Sequence, residues 1–148
     1  MNSSRITFTL NELVYVLNSA ADKRLRANFG LTYSQFLFLV TLMEQNKPTS
    51  SHLAKCLGVS RAAVSQRLPW FQDRGLVKIS KVSGNDKNLY LSMTREGKTL
   101  ASQSADFLEQ EFRLLFDNAD FVDLGKLDTT LRQIKSHLLH SQELRNAA

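Results

Sequence analysis

Arg61, Ser65 and Gln66 set out a forked cation, a hydroxyl and a primary amide within six residues. Together those groups can make the paired and single hydrogen bonds that read base edges in a DNA major groove. Types alone decide nothing, because the three must stand on one outward face of a helix. The surrounding stretch, TSSHLAKCLGVSRAAVSQRLPWFQDRGL at 49–76, predicts that placement. Leu53 and Leu57 give a first short helix its apolar stripe, and Ala54 is small enough to admit a crossing helix. Gly58 then turns the chain, Val59 plugs the turn, and the Ser60 hydroxyl is a good N-cap for a second helix. Val64, Leu68 and Phe71 recur at helical spacing as its buried edge. Arg61, Ser65 and Gln66 point away from that edge, so the pair is expected to be a helix-turn-helix whose second helix enters the groove by its N-terminal half.

The residues beyond the helix pair narrow the expectation. Gly75 closes the second helix, Leu76, Val77 and Ile79 read as a strand, and SGND at 83–86 is turn chemistry. Leu89, Leu91 and Met93 then alternate with Tyr90 and Ser92. Lys78, Lys81 and Lys87 accompany this hairpin, and a helix-turn-helix with a basic hairpin after it is a winged helix.

The charge agrees with that placement. The chain of 148 residues carries a net +5. Residues 32–95 hold nine basic against three acidic side chains, a net of +6, while the flanks hold ten basic and eleven acidic. Positive charge gathered in the winged-helix segment is the footprint of a phosphate-binding surface. The apolar residues from Ile6 to Leu17 are interrupted by Asn11, Glu12 and Tyr15, so neither an export signal nor a membrane span is expected. A single cysteine, Cys56, excludes an internal disulfide framework and fits a cytoplasmic protein. No phosphate loop, nucleophile elbow or paired carboxylate suggests an enzyme, and no cofactor is implied.

Outside the centre the chain reads as helices. Thr9 with Glu12 is expected to form a capping box for a first helix running to about Asn28, and Thr32 with Gln35 another leading into FLFLVTLM, residues 36–43. Lys47 and Pro48 break that helix. Thr94 caps a long helix with Leu100, Phe107, Leu108, Phe112 and Leu115 on its apolar side, and Asp120 or a near neighbour starts the last one. There Leu124, Leu127, Leu131, Ile134 and Leu138 alternate spacings of three and four, the seam of helices packing side by side. With Leu10 and Leu13 of the first helix they exceed what one small winged helix can cover, which predicts a homodimer. The expected architecture is mainly α with a small β-hairpin. Residues 1–148 form one domain, with 32–95 as the winged-helix lobe and 5–30 and 96–145 as a helical dimerisation lobe.

This order of elements resembles the multiple antibiotic resistance regulator (MarR) family over nearly the whole chain. The resemblance is carried by LAKCLGVSRAAVSQRL at 53–68, DRGLV at 73–77 and LSMTREGKTL at 91–100. It implies a dimeric transcriptional regulator joined through its N- and C-terminal helices, and an effector, often a small aromatic or phenolic anion, bound between the two lobes. It also implies that Arg61, Ser65 and Gln66 lie in the major groove and residues 84–88 in the minor groove. The family's wing commonly has an aspartate and, two residues later, an arginine. Here Asp86 precedes Lys87 and Asn88, and a lysine replaces the charge but not the planar fork. Pro69 is the ninth residue after Ser60, too deep to be a first-turn proline. It removes the amide that would bond the Ser65 carbonyl, which predicts a kink costing about 3 kcal/mol if unrelieved.

The expected DNA-facing set is therefore Thr49, Ser50, Ser51, Ser60, Arg61, Ala62, Ser65, Gln66, Lys81, Lys87 and Asn88. Arg61 and Gln66 read bases, and Thr49, Ser50, Ser51, Lys81 and Lys87 hold phosphates. Tyr15, Tyr33 and Phe36, with Phe38 nearby, are either an effector pocket or ordinary core. His52 with Cys56 and His137 with His140 are incomplete metal pairs. Cys56 itself is expected to be a buried apolar filler, with oxidant sensing open to it only if its sulfur is exposed. The expected partners are double-stranded DNA, a second copy of the chain and a small-molecule effector. The rival is a winged helix whose basic face docks an acidic protein without operator specificity.

Overall fold

The computed structural model describes residues 5–82 and 85–147, without the side chains at 82 and 85–88. Within these residues six helices and one hairpin run in the order α1 (Ile6–Phe29), α2 (Tyr33–Glu44), α3 (Ser50–Leu57), α4 (Arg61–Asp73), β1 (Val77–Val82), β2 (Asn85–Met93), α5 (Arg95–Leu114) and α6 (Leu124–Ala147). They fall into two compact units, Met1–Leu108 and Glu109–Ala148.

In the first unit the core gathers where α2, α3, α4 and the hairpin meet. Phe38, Leu39, Leu53, Val64, Phe71 and Leu91 are buried there, and the Phe38 and Phe71 rings stack with centroids 4.2 Å apart. The Thr32 hydroxyl accepts the Gln35 amide while the Gln35 side chain accepts the Thr32 amide, the reciprocal cap expected at the start of α2. The expected box at Thr9 does not form. Helix α1 starts at Ile6, and the Thr9 amide already donates to the Arg5 carbonyl, so Thr9 sits inside the ladder where no orphan amide remains to cap. Two bonds to Asp22 fix the corner between α1 and α2. Its Oδ1 accepts the Tyr33 amide at 2.8 Å and its Oδ2 accepts Arg26 Nε at 2.6 Å.

The wing is tied to the helices at both ends. Leu91 donates to the Pro48 carbonyl at 2.9 Å, and Tyr90 bridges Thr49. At the wing's exit the Thr94 hydroxyl donates to the Gly75 carbonyl and accepts the Gly97 amide, capping α5 as expected. Helix α5 buries small residues, Gly97, Ala101 and Ser104, where larger ones were expected to lead. A Cβ on Gly97 would lie 2.1 Å from the Leu76 carbonyl oxygen, so glycine lets the helix rest against that backbone. Strands β1 and β2 pair antiparallel from Val77 opposite Met93 to Lys81 opposite Leu89. Their register then shifts, and Asn85 lies opposite Val82. Asn85 and Asp86, expected in the turn, thus belong to the strand, while Ser83 and Gly84 lie outside the described residues.

In the second unit the Asp123 carboxylate accepts the Lys126 amide and caps α6, the near neighbour of Asp120 that the sequence allowed. Leu115, expected on the apolar side of α5, lies beyond its end and is exposed. No residue of α6 is buried, so Leu127, Leu131, Ile134 and Leu138 form an uncovered seam. Leu10, Leu13, Val14 and Leu17 on α1 are likewise uncovered. Among the described residues no helix is long and apolar enough to cross a membrane.

Candidate nucleic-acid interface

Local chemistry sets the helix-turn-helix. The Thr49 hydroxyl accepts the His52 amide at 3.1 Å and starts α3. At its end Gly58 takes a φ of 66°, a conformation that costs glycine nothing. Its amide bonds the Lys55 carbonyl and the Val59 amide bonds the Ala54 carbonyl, the two bonds of a Schellman motif. Two residues later the Ser60 hydroxyl accepts the Ala63 amide at 3.1 Å and starts α4. Leu53 and Ala54 are buried on one side of the crossing and Val64, Leu68 and Phe71 on the other. The turn, caps and buried edges all match the expectation.

That packing settles which face of α4 is presented. Arg61 and Ser65 stand one turn apart, Ala62 and Gln66 form the adjacent row, and all four are exposed. Ser60 is also exposed, with its hydroxyl engaged as the cap. Ser51 and Lys55 are exposed on α3, and Lys78 and Lys81 on β1. The surface therefore combines hydrogen-bonding groups on the first turns of α4 with cations on α3 and the wing. Ser50 departs from the expected set. It is only 5% exposed and its Oγ has no hydrogen-bond partner, so its hydroxyl faces the interior while Thr49 and Ser51 remain at the surface. Lys87 and Asn88 lie beyond the register shift in β2, and their side chains lie outside the described residues.

Helix α4 continues through Pro69 to Asp73, with the ring on an exposed position. At its end Arg74 stacks over Trp70, 3.9 Å from the ring centroid, and Trp70 meets Phe71 edge to face. Trp70 is thus a packing residue shielded by a cation.

The expected pocket residues differ in burial. Tyr33 and Phe36 are neighbours on α2, with centroids 6.1 Å apart, and burial pushes the Tyr33 phenol up. Tyr15 is 74% exposed on α1. An open depression on α5, lined by Arg95, Glu96, Thr99, Leu100 and Gln103, includes none of the three. Cys56 corrects the expectation of a buried filler, for it is exposed with its Sγ 3.6 Å from His52 Nε2. Its helical row is shared with His52, away from the row of Leu53 and Leu57 that faces α4. Among the described residues no three His, Cys, Asp or Glu side chains converge as a metal site. Sequence reasoning also missed Asp22, since nothing in a lone surface aspartate announces a bond to an amide eleven residues on.

Two crossing helices, the second offering an exposed polar face, and a hairpin anchored at both ends define a winged helix. Residues 29–87 match the family model described as MarR family. That match and the fold make the chain similar to proteins of the MarR family. AbsC, a MarR family transcriptional regulator from Streptomyces coelicolor, is 24% identical, with 95% of this chain and 97% of that one covered at a TM-score of 0.72. A MarR family transcriptional regulator from Rhodococcus sp. RHA1 is 21% identical, with coverage of 90% and 94% and a TM-score of 0.76. FabT of Streptococcus pneumoniae, solved in complex with DNA, is 14% identical, with coverage of 94% and 99% and a TM-score of 0.74. No curated protein gives a significant match to the sequence.

Proposed function

We propose that this chain is a sequence-specific, double-stranded DNA-binding transcriptional regulator that acts as a homodimer on a pseudo-palindromic operator. One observation carries the reading. The capped first turns of α4 expose Arg61, Ala62, Ser65 and Gln66 while the opposite edge of the helix is locked in the core. Arg61 and Gln66 read bases, with Ser65 beside them and Ala62 leaving room for close approach. Thr49, Ser51 and Lys81 hold phosphates, joined by Lys87 and Asn88 from the wing. FabT, a protein of the same fold, was solved in complex with DNA, which supports DNA as the partner.

The dimer rests on the uncovered apolar faces. Leu127, Leu131, Ile134 and Leu138 on α6, with Leu10 and Leu13 on α1, expose apolar area that a second copy would bury. Burying a leucine fully contributes about 1.5–3 kcal/mol, so half-burial of six such side chains outweighs a moderate cost of association. Residues 32–95 then form the DNA-binding lobe and 5–30 with 96–145 the dimerisation lobe. Two copies place two recognition helices one helical turn apart. Tyr33 and Phe36 are neighbouring aromatics on α2, and an aromatic or phenolic anion is the effector class proposed for the site they would share with Tyr15.

Competition binding tests the reading. Retention of a fragment from upstream of the chain's own gene in the presence of excess random DNA is expected. Arg61→Ala should weaken that complex by about 1–3 kcal/mol and relax the preference at one position per half-site. Equal affinity of the parent protein for random and upstream DNA would refute operator recognition and favour docking of an acidic protein on the basic face.

A further inference from the structure

We propose that Pro69 is a thymine-reading residue, its exposed ring packing against a C5-methyl group in the major groove. The proposal deepens the DNA-binding reading above and rests on it. Helix α4 continues through Pro69 to Asp73, and the ring stands on an exposed position. At about 100° per residue, Pro69 projects within about 20° of Ala62 and about 40° of Ser65. Arg61 lies about 80° to one side of it and Gln66 about 60° to the other. The buried residues Val64, Leu68 and Phe71 are about 100° or more away. Pro69 therefore occupies the middle of the exposed face and not its margin.

Folding does not account for the residue. Inside a helix a proline removes one backbone bond and crowds the preceding turn. A ring buried in the core could offset that loss by packing, but this one faces outward. A local rule broken with no gain in packing marks a functional position. The chemistry of the ring then selects what it can touch. It carries neither donor nor acceptor, so it bonds no phosphate and no polar base edge. The C5-methyl of thymine is the apolar group that the major groove presents. Contact costs little order, since the ring has almost no rotamer freedom to lose. Ala62 and Ser65 are short side chains on the same line, so the α4 backbone can come close to the groove floor and the short ring can reach it. Ala62 adds a second methyl two turns earlier, and Arg61 and Gln66 flank the line with hydrogen-bonding groups.

Deoxyuridine substitution tests this with the whole protein and a fragment it selects from genomic DNA. Uracil keeps every pairing group of thymine and lacks only the methyl. Replacing thymines one at a time should weaken parent binding about fourfold at the position facing the ring, the fold-change carried by one buried methyl-sized group. In Pro69→Ala that penalty should largely disappear, while other sensitive thymines keep theirs. Alanine suits a helix better than proline, so the variant should fold, and circular dichroism with thermal melting checks it. Uracil tolerated everywhere, half-sites without thymine, or a penalty unchanged in Pro69→Ala would overturn the proposal while operator recognition stands. A uniform loss of affinity in Pro69→Ala with the penalty intact would overturn it too, leaving Pro69 as a bend in the helix. A parent protein that prefers no fragment over random DNA would refute operator recognition itself, and this proposal with it.

Discussion

Gly97→Ala places two opposing effects on one atom. On helix propensity alone, alanine within a helix is better than glycine by about 1 kcal/mol. The new Cβ, however, would stand 2.1 Å from the Leu76 carbonyl oxygen, 3.0 Å from its carbon and 3.3 Å from its Cα. Cβ contacts essentially never fall below 3.0 Å, so the two backbones must separate by about 0.9 Å. Leu76 has little freedom to move. Its amide bonds the Phe71 carbonyl at the end of α4, and its carbonyl accepts the Thr94 amide. Overpacking costs about 1–3 kcal/mol, and a rigid backbone partner belongs at the upper end of that range. After the propensity gain the net loss is about 2 kcal/mol. With a urea dependence of about 1–3 kcal/mol per molar, the unfolding midpoint should fall by roughly 1 M. Gly125→Ala is the control, since its Cβ meets only the Asp123 carboxylate oxygen at 3.4 Å. That variant should match the parent or exceed it by up to about 1 kcal/mol. All proteins must be compared at one concentration, because the proposed dimerisation would shift apparent stability by mass action. A Gly97→Ala midpoint equal to or above the parent's would refute the claim that α5 rests on the Leu76 backbone.

Thr94→Val removes both the cap of α5 and the donor to the Gly75 carbonyl, and urea titration should show a loss of roughly 1–2 kcal/mol. The Tyr33 amide, and next the Arg26 guanidinium, hold the Asp22 carboxyl below its usual value of 3.8. A depressed carboxylate contributes stability that is complete above that value and lost as pH falls below it. Asp22→Asn should therefore flatten the acid limb of the stability curve below about pH 4, and an unchanged limb would show that the pairing contributes nothing. Leu131→Glu puts a charge into the α6 seam and should convert a dimer to a monomer in sedimentation experiments at concentrations where the parent is dimeric.

Much of the winged helix was legible because its signals are local. Gly58 with Val59, Ser60, Thr32 with Gln35, and Thr94 each declare themselves within a few residues, and a turn or cap needs no distant partner to be read. The exposed row of Arg61, Ser65 and Gln66 came from the spacing of Val64, Leu68 and Phe71. The failures have physical causes too. Thr9 and Glu12 have the types of a capping box, but the helix begins three residues earlier, so its ladder already uses the Thr9 amide. Ser50 lies one residue past the Thr49 cap, and only tertiary packing decides that it turns inward. Cys56 is next to Leu57, which suggests a core position, yet adjacent helical residues point about 100° apart. Gly97, Ala101 and Ser104 were passed over because small residues carry little hydrophobic signal, although Gly97 admits a close approach of α5 to the Leu76 backbone. Asp22 depends on a contact across the α1–α2 corner, which periodicity does not encode.

The central claim is that two copies of the exposed α4 face read a two-fold DNA site. Sequencing the genomic fragments retained by the purified protein at moderate salt tests it most directly. The account predicts an inverted repeat with half-site centres about 10–10.5 base pairs apart, in which one position per half-site loses its preference when the selection is repeated with Arg61→Ala. Retained fragments with no shared motif, or a motif that Arg61→Ala leaves unchanged, would contradict it.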